Sequence, residues 1–163
     1  DFGALQCTPA QPGCADCPLA ARCLALAAGT VAERPVKQAK TKVRDRWFNY
    51  LHVTCGDRTL LRRRGEGDIW QGLYEFPMIE TDRAADFSEL TASEEFRTLL
   101  GGVEWRLLRS VAMPKHQLSH QTLHAVFHRI EISFPVDFPS VPTATLGDYA
   151  VPRLIDRYLD RQP

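Results

Sequence analysis

The sequence predicts an α+β chain: a mixed β-sheet covered by helices, preceded by a short helical segment rich in cysteine. Three observations carry this. Four of the five cysteines fall within the first 23 residues. From residue 46 apolar and polar positions alternate with the period of strands, over short stretches separated by turns. Two stretches, 86–100 and 148–161, carry the spacing and punctuation of helices. Strands and helices in mixed order imply helices packed on the faces of a sheet.

The elements follow in order. In residues 1–28, Pro9, Pro12, Gly13 and Pro18 break any long helix, while LAARCLALAA (19–28) suits a short helical ending stopped at Gly29. Residues 29–45 are polar, basic and without periodicity, which reads as a linker. The second domain is expected over 46–163. Trp47, Asn49, Leu51 and Val53 alternate with Phe48, Tyr50 and His52, as in a strand buried on both faces. Cys55-Gly56-Asp57-Arg58 marks a turn into a second strand at 59–63. After Gly65-Glu66-Gly67-Asp68 comes Trp70–Ile79, in which Trp70, Leu73, Tyr74 and Phe76 read as core, with Gly72 and Pro77 at strand ends. Residues 86–100 read as one helix stopped by Gly101-Gly102, strands follow at 103–112 and 121–134, and Asp148 to Arg161 reads as a closing helix with Pro152 in its first turn. Cys55, Trp47, Trp70 and Trp105 are expected to be structural.

Composition is that of an ordinary globular protein, 44% hydrophobic and 25% charged, with Lys+Arg and Asp+Glu equal at 20 each. No apolar run reaches the ~18 to 20 residues of a membrane-spanning helix, so a soluble, cytoplasmic protein is expected. The start at Asp1, without Met or a leader pattern, reads as a cut within a longer protein. Net charge is uninformative, but its distribution is not. Residues 37–64 hold Lys37, Lys40, Lys42, Arg44, Arg46, Arg58, Arg62, Arg63 and Arg64 against Asp45 and Asp57, whereas 65–104 hold ten acids against Arg83 and Arg97. The basic block is either a footprint for phosphates or a solvated linker and hairpin face.

Cys7, Cys14, Cys17 and Cys23 are spaced C-x6-C-x2-C-x5-C. Four thiols so close together suit one soft metal centre, an iron–sulfur cluster or a four-thiolate zinc; disulfides are the third reading. With Asp1–Leu5 before it and Cys17-Pro18-Leu19 within it, the spacing resembles the end of the helix-hairpin-helix domain in the endonuclease III and MutY-type adenine glycosylase superfamily. The resemblance covers residues 1–24 and implies a 4Fe–4S cluster held by all four cysteines. The loop Thr8–Gly13 lacks the cation found in many members, which leaves Arg22 as the nearest positive charge for a DNA phosphate.

Two further matches lie in the second domain. Ile69–Pro77 (IWQGLYEFP) resembles the W-x-G-L-[WY]-E-F-P segment of Nudix proteins and adenine glycosylases, and implies a Nudix-like fold. Over 72–101, Glu94, Glu95 and Arg97 do not form the R-E-x-x-E-E-x-G box that converges carboxylates on magnesium, so binding rather than pyrophosphate hydrolysis is expected. His116-Gln117-Leu118-Ser119-His120, followed by Leu123, resembles the H-x-F-[ST]-H-x-x-L motif that reads 8-oxoguanine in adenine glycosylases. By that resemblance Ser119 reads the lesion, Leu118 wedges beside the base in place of the usual Phe, and His116 and His120 contact DNA. The partner implied is double-stranded DNA carrying adenine opposite 8-oxoguanine, bound by a monomer, in the nucleoid if the protein is bacterial.

In the family, adenine is flipped out and its N-glycosidic bond hydrolysed by a Glu general acid, with an Asp stabilising the cationic sugar. Both sit upstream of the matched segments, so no catalytic residue is expected in this chain. Phosphate contacts along Lys37, Lys40, Lys42, Arg44 and Arg46 are a further expectation. Two competing readings are a free-standing Nudix-like nucleotide-binding or hydrolysing protein with a metal loop, and a zinc-stapled interaction module.

Overall fold

A computed structural model describes residues 2–8, 10–34 and 43–161. The chain divides into two compact units, Asp1–Lys42 and Val43–Pro163. Among the described residues, no helix is long and apolar enough to cross a membrane.

The first unit is built from short turns. Helix α1 (Phe2–Leu5) leads into a loop closed by Gln6 and Gly13: the Gly13 amide donates to the Gln6 carbonyl at 3.0 Å, and the Gln6 side chain donates back to Gly13. A 3₁₀ turn at Ala20–Arg22 precedes α2 (Leu24–Ala27), so the helical run expected over 19–28 is interrupted at Cys23. Gly29 ends α2 as the sequence suggests. It adopts φ 68°, its amide bonds Leu26 O, and the Thr30 amide reaches Ala25 O at 2.8 Å, the paired bonds of a Schellman stop. A 3₁₀ turn at Val31–Glu33 occupies part of the expected linker.

The second unit is a mixed sheet. Strand β1 (Arg44–Cys55) begins two residues before the expected boundary and takes Arg44 and Asp45 from the linker. The expected second strand is divided: β2 (Arg58–Leu60) returns along β1, while β3 (Arg62–Arg63) pairs β4 (Tyr74–Glu75) in a separate ribbon. β5 (Met78–Thr81) lies antiparallel to β1 beside β2's partner residues. Next come α3 (Phe87–Thr91) and α4 (Glu94–Leu100), then β6 (Trp105–Ala112), β7 (His116–Gln117) and β8 (Gln121–Ile132). β9 (Ser140–Pro142), a 3₁₀ turn at Thr143–Asp148 and α5 (Arg153–Leu159) complete the unit. The sheet order is β6-β8-β1-β2-β9, with β8 parallel to β1 and the other pairs antiparallel. A mixed sheet with helices on its faces is therefore the observed class.

Two expected helices were too long. Residues 86–100 form two helices because Ser93 caps a new start, its Oγ accepting from the Phe96 amide at 3.2 Å. At the other end Glu89 reaches back to the Asp86 amide at 3.0 Å. The closing helix starts at Arg153, with Pro152 as its cap rather than within its first turn.

Alternation along β1 and β8 sorts the core onto two faces. Phe48, Tyr50, Leu123, Ala125 and Phe127 pack with Phe76, Leu154, Ile155 and Tyr158 of the α5 side. Leu51, Val53, Ile130 and Ile132 pack with Ile79, Leu90, Phe96 and Leu100 of the α3–α4 side. β1 is thus buried on both sides, as its alternation indicated. Trp105 is an exception among the expected core tryptophans: it is 38% exposed on edge strand β6, against Phe87 and Phe96.

Candidate functional site

The HQLSH segment forms the turn between β7 and β8. His116 pairs Leu123 and Gln117 pairs Thr122, and the Leu118 amide donates to Gln121 O at 2.8 Å, closing a tight tip. Gln117 braces it: its side-chain amide donates to the Leu118 carbonyl at 3.1 Å, and its oxygen accepts from Thr122 Oγ1 at 2.9 Å. The four motif side chains separate by burial. Leu118 is half-buried against the α5-side core and His116 is half-buried, while Ser119 and His120 are exposed. Among the described residues, neither the hydroxyl nor the amide of Ser119 has a hydrogen-bond partner. An anchored apolar residue therefore holds a free donor–acceptor pair at the surface.

The surroundings fix this tip from two directions. Trp70 stands 6.0 Å from the His116 ring and 6.4 Å from Phe48. It has φ 62°, the only non-glycine residue in the left-handed region among the described residues, a conformation that costs energy and persists only when its neighbours impose it. Gly72, two residues on at φ 80°, could not carry a side chain freely, since a Cβ there would lie 3.3 Å from Arg63 Nη2. At the other end of the tip, the Arg44 amide donates to His120 O at 3.1 Å. A cavity of about 280 Å³ opens beside His116, lined by Met113, Pro114, Leu154, Arg157 and Arg161 among others. Removal from water and the Arg157 charge lower the His116 pKa from its ordinary value.

The basic and acidic blocks of the sequence largely meet each other. Arg62 and Arg64 both bond Glu75, whose side chain is 2% exposed; Arg64 also reaches Asp68 at 2.8 Å; Arg46 joins Asp68 at 2.6 Å and Glu80 at 2.5 Å; and Arg44 lies 3.7 Å from Glu80. Hydrogen bonds from Arg46 hold the Asp68 carboxyl down to about 2. Arg46 is 6% exposed, so its charge faces carboxylates and is not offered to a phosphate; the expectation for that residue is corrected. Arg44 keeps a largely exposed side chain, and Arg22 is exposed on the 3₁₀ turn of the first unit. Lys37, Lys40 and Lys42 lie outside the described residues.

The second candidate region is a cleft of about 540 Å³ on the α4 side, lined by Arg62, Met78, Glu94, Glu95, Asp137 and Phe138 among others. In the first unit, Cys7, Cys14, Cys17 and Cys23 are free thiols that all line one small cavity of about 50 Å³. The Leu26 amide donates to Cys23 Sγ at 3.4 Å, which caps the start of α2. No three His, Cys, Asp or Glu groups among the described residues close on a common point tightly enough for a single metal ion.

Comparison with known proteins places these features in context. A NUDIX domain model matches residues 49–161. The chain is 25% identical over 147 residues to the adenine DNA glycosylase of Buchnera aphidicola subsp. Schizaphis graminum (strain Sg), covering 85% of this chain and 38% of that protein. It is 29% identical over 100 residues to the adenine DNA glycosylase of Arabidopsis thaliana, covering 53% and 16%. Among solved structures, that of the E. coli ORF135 protein superposes with a TM-score of 0.52 at 15% identity, over 72% of this chain and 91% of that one. The chain thus spans well under half the length of the curated relatives it matches.

Proposed function

The chain belongs to the NUDIX domain family, and from that premise we propose that it is the C-terminal part of an adenine DNA glycosylase that reads 8-oxoguanine opposite the adenine to be removed. The observation that carries this reading is the β7–β8 tip: Leu118 is half-buried against the core while Ser119 is exposed with its hydroxyl and amide unengaged. 8-Oxoguanine carries an N7–H donor where guanine has an acceptor, and a carbonyl at C8. Ser119 Oγ accepts from the N7–H, and a neighbouring amide donates to the new carbonyl. Against guanine, the same groups meet a lone pair and no oxygen. An unpaired buried polar group costs ~1–3 kcal/mol, which is roughly tenfold to a hundredfold in discrimination. Leu118 supplies an apolar wedge beside the base, and His116 and His120 flank it along the DNA.

The substrate in this reading is double-stranded DNA with adenine opposite 8-oxoguanine, or opposite guanine with lower preference. The catalytic acid and the stabilising carboxylate lie in the remainder of the enzyme, so the chain alone has no glycosylase activity. Residues 1–28 are the tail of the catalytic domain, joined by a linker to the reading domain, and the protein acts as a monomer in the cytoplasm or nucleoid. Cys7, Cys14, Cys17 and Cys23 hold a 4Fe–4S cluster, which when bound crosslinks four points of a unit otherwise made of short turns. In this reading the exposed side chains of Arg22 and Arg44 contact DNA phosphates.

The test is binding by the whole enzyme to duplexes with adenine opposite 8-oxoguanine or guanine. Ser119→Ala should lower the ratio of the two affinities about tenfold or more. An unchanged ratio would reject the reading. The cluster has its own arm: anaerobically purified protein should absorb broadly near ~400 nm, and a colourless protein containing zinc would contradict it.

A further inference from the structure

Arg46 was expected at a phosphate, yet the structure gives it a different setting. All five N–H donors of its guanidinium are used. Nε donates to Glu80 Oε1 at 2.7 Å and Nη2 to Glu80 Oε2 at 2.5 Å. Nη1 and Nη2 donate to the two oxygens of Asp68 at 2.6 and 2.8 Å. Nη1 also donates to Gln121 Oε1 at 3.1 Å. The guanidinium carbon lies 4.7 Å from the centre of the Phe48 ring, and the residue is almost wholly buried. Only the planar fork of arginine can serve two bidentate carboxylates and a third acceptor at once.

These partners lead to both ends of the tip. Gln121 is the residue whose carbonyl closes the turn on the Leu118 amide. Asp68 Oδ1 also accepts the Ile69 amide at 2.8 Å, and Ile69 precedes Trp70, whose ring packs at His116, where the motif begins. One buried charge thus reaches the end of the tip directly and its start through the Trp70 loop.

We propose that Arg46 is a positioning residue for lesion reading: by tying Gln121 and the Asp68–Trp70 segment to one point, it fixes the orientation in which Ser119 is presented. This rests on the function proposed above and adds a residue that touches no DNA. A buried, fully bonded guanidinium contributes to folding as well, so three variants are needed. Arg46→Lys keeps the charge but cannot reproduce the fork. Gln121→Ala removes only the link to the tip and leaves the four carboxylate bonds. Gln121→Glu retains an acceptor for the same donor.

The experiment measures affinities of the whole enzyme for duplexes with adenine opposite 8-oxoguanine and opposite guanine, with Ser119→Ala alongside. Gln121→Ala should lower the 8-oxoguanine preference about threefold, and Arg46→Lys about tenfold, with affinity for the guanine duplex held within about twofold. Gln121→Glu should retain the preference. An unchanged preference in folded Gln121→Ala and Arg46→Lys would overturn the proposal, as would an equal loss on both duplexes. If Ser119→Ala itself leaves the preference intact, it is the lesion-reading function that fails, so the two failures are separable.

Discussion

The two faces of the sheet are built from the same strands but present different surfaces. The α5 face is aromatic: Phe127 stacks on Tyr158 at 3.9 Å and on Tyr50 at 4.8 Å, with Phe76 edge-on to both Phe127 and Tyr158. Trp70 and Leu118 pack against this core, so the tip bearing Ser119 stands on a stiff base. The α3–α4 face is largely aliphatic, and its cleft presents Glu94, Glu95 and Asp137 beside Arg62. The motif-bearing face thus has a preorganised polar tip, and the other has carboxylates without a common focus.

The largest effect should come from removing the aromatic base. Phe127→Ala is expected to cost ~3–5 kcal/mol in urea unfolding and to lower 8-oxoguanine preference in whatever remains folded. Leu100→Ala, fully buried on the opposite face, should cost ~2–5 kcal/mol yet leave that preference unchanged. Equal losses of preference would erase the distinction between faces.

Each face also buries a histidine. His52 lies between Phe76 and Tyr158, with Nδ1 2.9 Å from the Tyr158 hydroxyl, and burial, then Arg129 and Arg109, push it down to about 4. His128 lies against Phe87 with Nδ1 2.8 Å from Ser110 Oγ, and burial pushes it to about 4 as well. The unfolded chain binds these protons near pH 6.5 and the folded one only near pH 4. Stability should be level above about pH 7 and fall as pH drops from 6.5 towards 4, by on the order of 3 kcal/mol per histidine at most. His128→Phe should flatten part of that slope without altering DNA preference; a slope unchanged in denaturant titrations at pH 7.5 and 4.5 would contradict the assignment.

Smaller still in stability, Ser119→Ala should shift unfolding by less than ~0.5 kcal/mol while removing about tenfold of lesion preference. The smallest effect belongs to the cleft. Glu94→Gln with Glu95→Gln should leave duplex affinity and preference within about twofold, measured by the same titrations.

Much of the sheet was legible in the alternation of residues 47–53 and in the strands expected at 103–112 and 121–134, although a bulge between Leu107 and Arg109 interrupts the first of these two. Residues 116–120 were singled out by the fixed spacing of their motif, and the structure gathers them at the β7–β8 turn. Helix 86–100 misled because its apolar spacing survives the break; the capping pattern around Asp86, Glu89 and Ser93 was the signal to heed. The ion-pair chain was misread for a different reason. Charges counted by stretch gave a basic and an acidic block, and folding pairs Arg46, Arg62 and Arg64 with Asp68, Glu75 and Glu80 across the turn between them. Local charge excess cannot distinguish that from a phosphate footprint. Nothing in the periodicity pointed to the left-handed Trp70, since the loop that imposes it is held by partners distant in sequence.

The most direct test compares the two faces in one experiment. Backbone amide shifts of the whole enzyme, selectively labelled over this chain, would be followed during titration with duplexes carrying adenine opposite 8-oxoguanine or guanine. Shifts that differ between the two duplexes should centre on 116–121 and spread to Trp70, with the α4 cleft silent. Lesion-dependent shifts confined to Glu94, Glu95 and Asp137, with the Ser119 amide unmoved, would contradict the account.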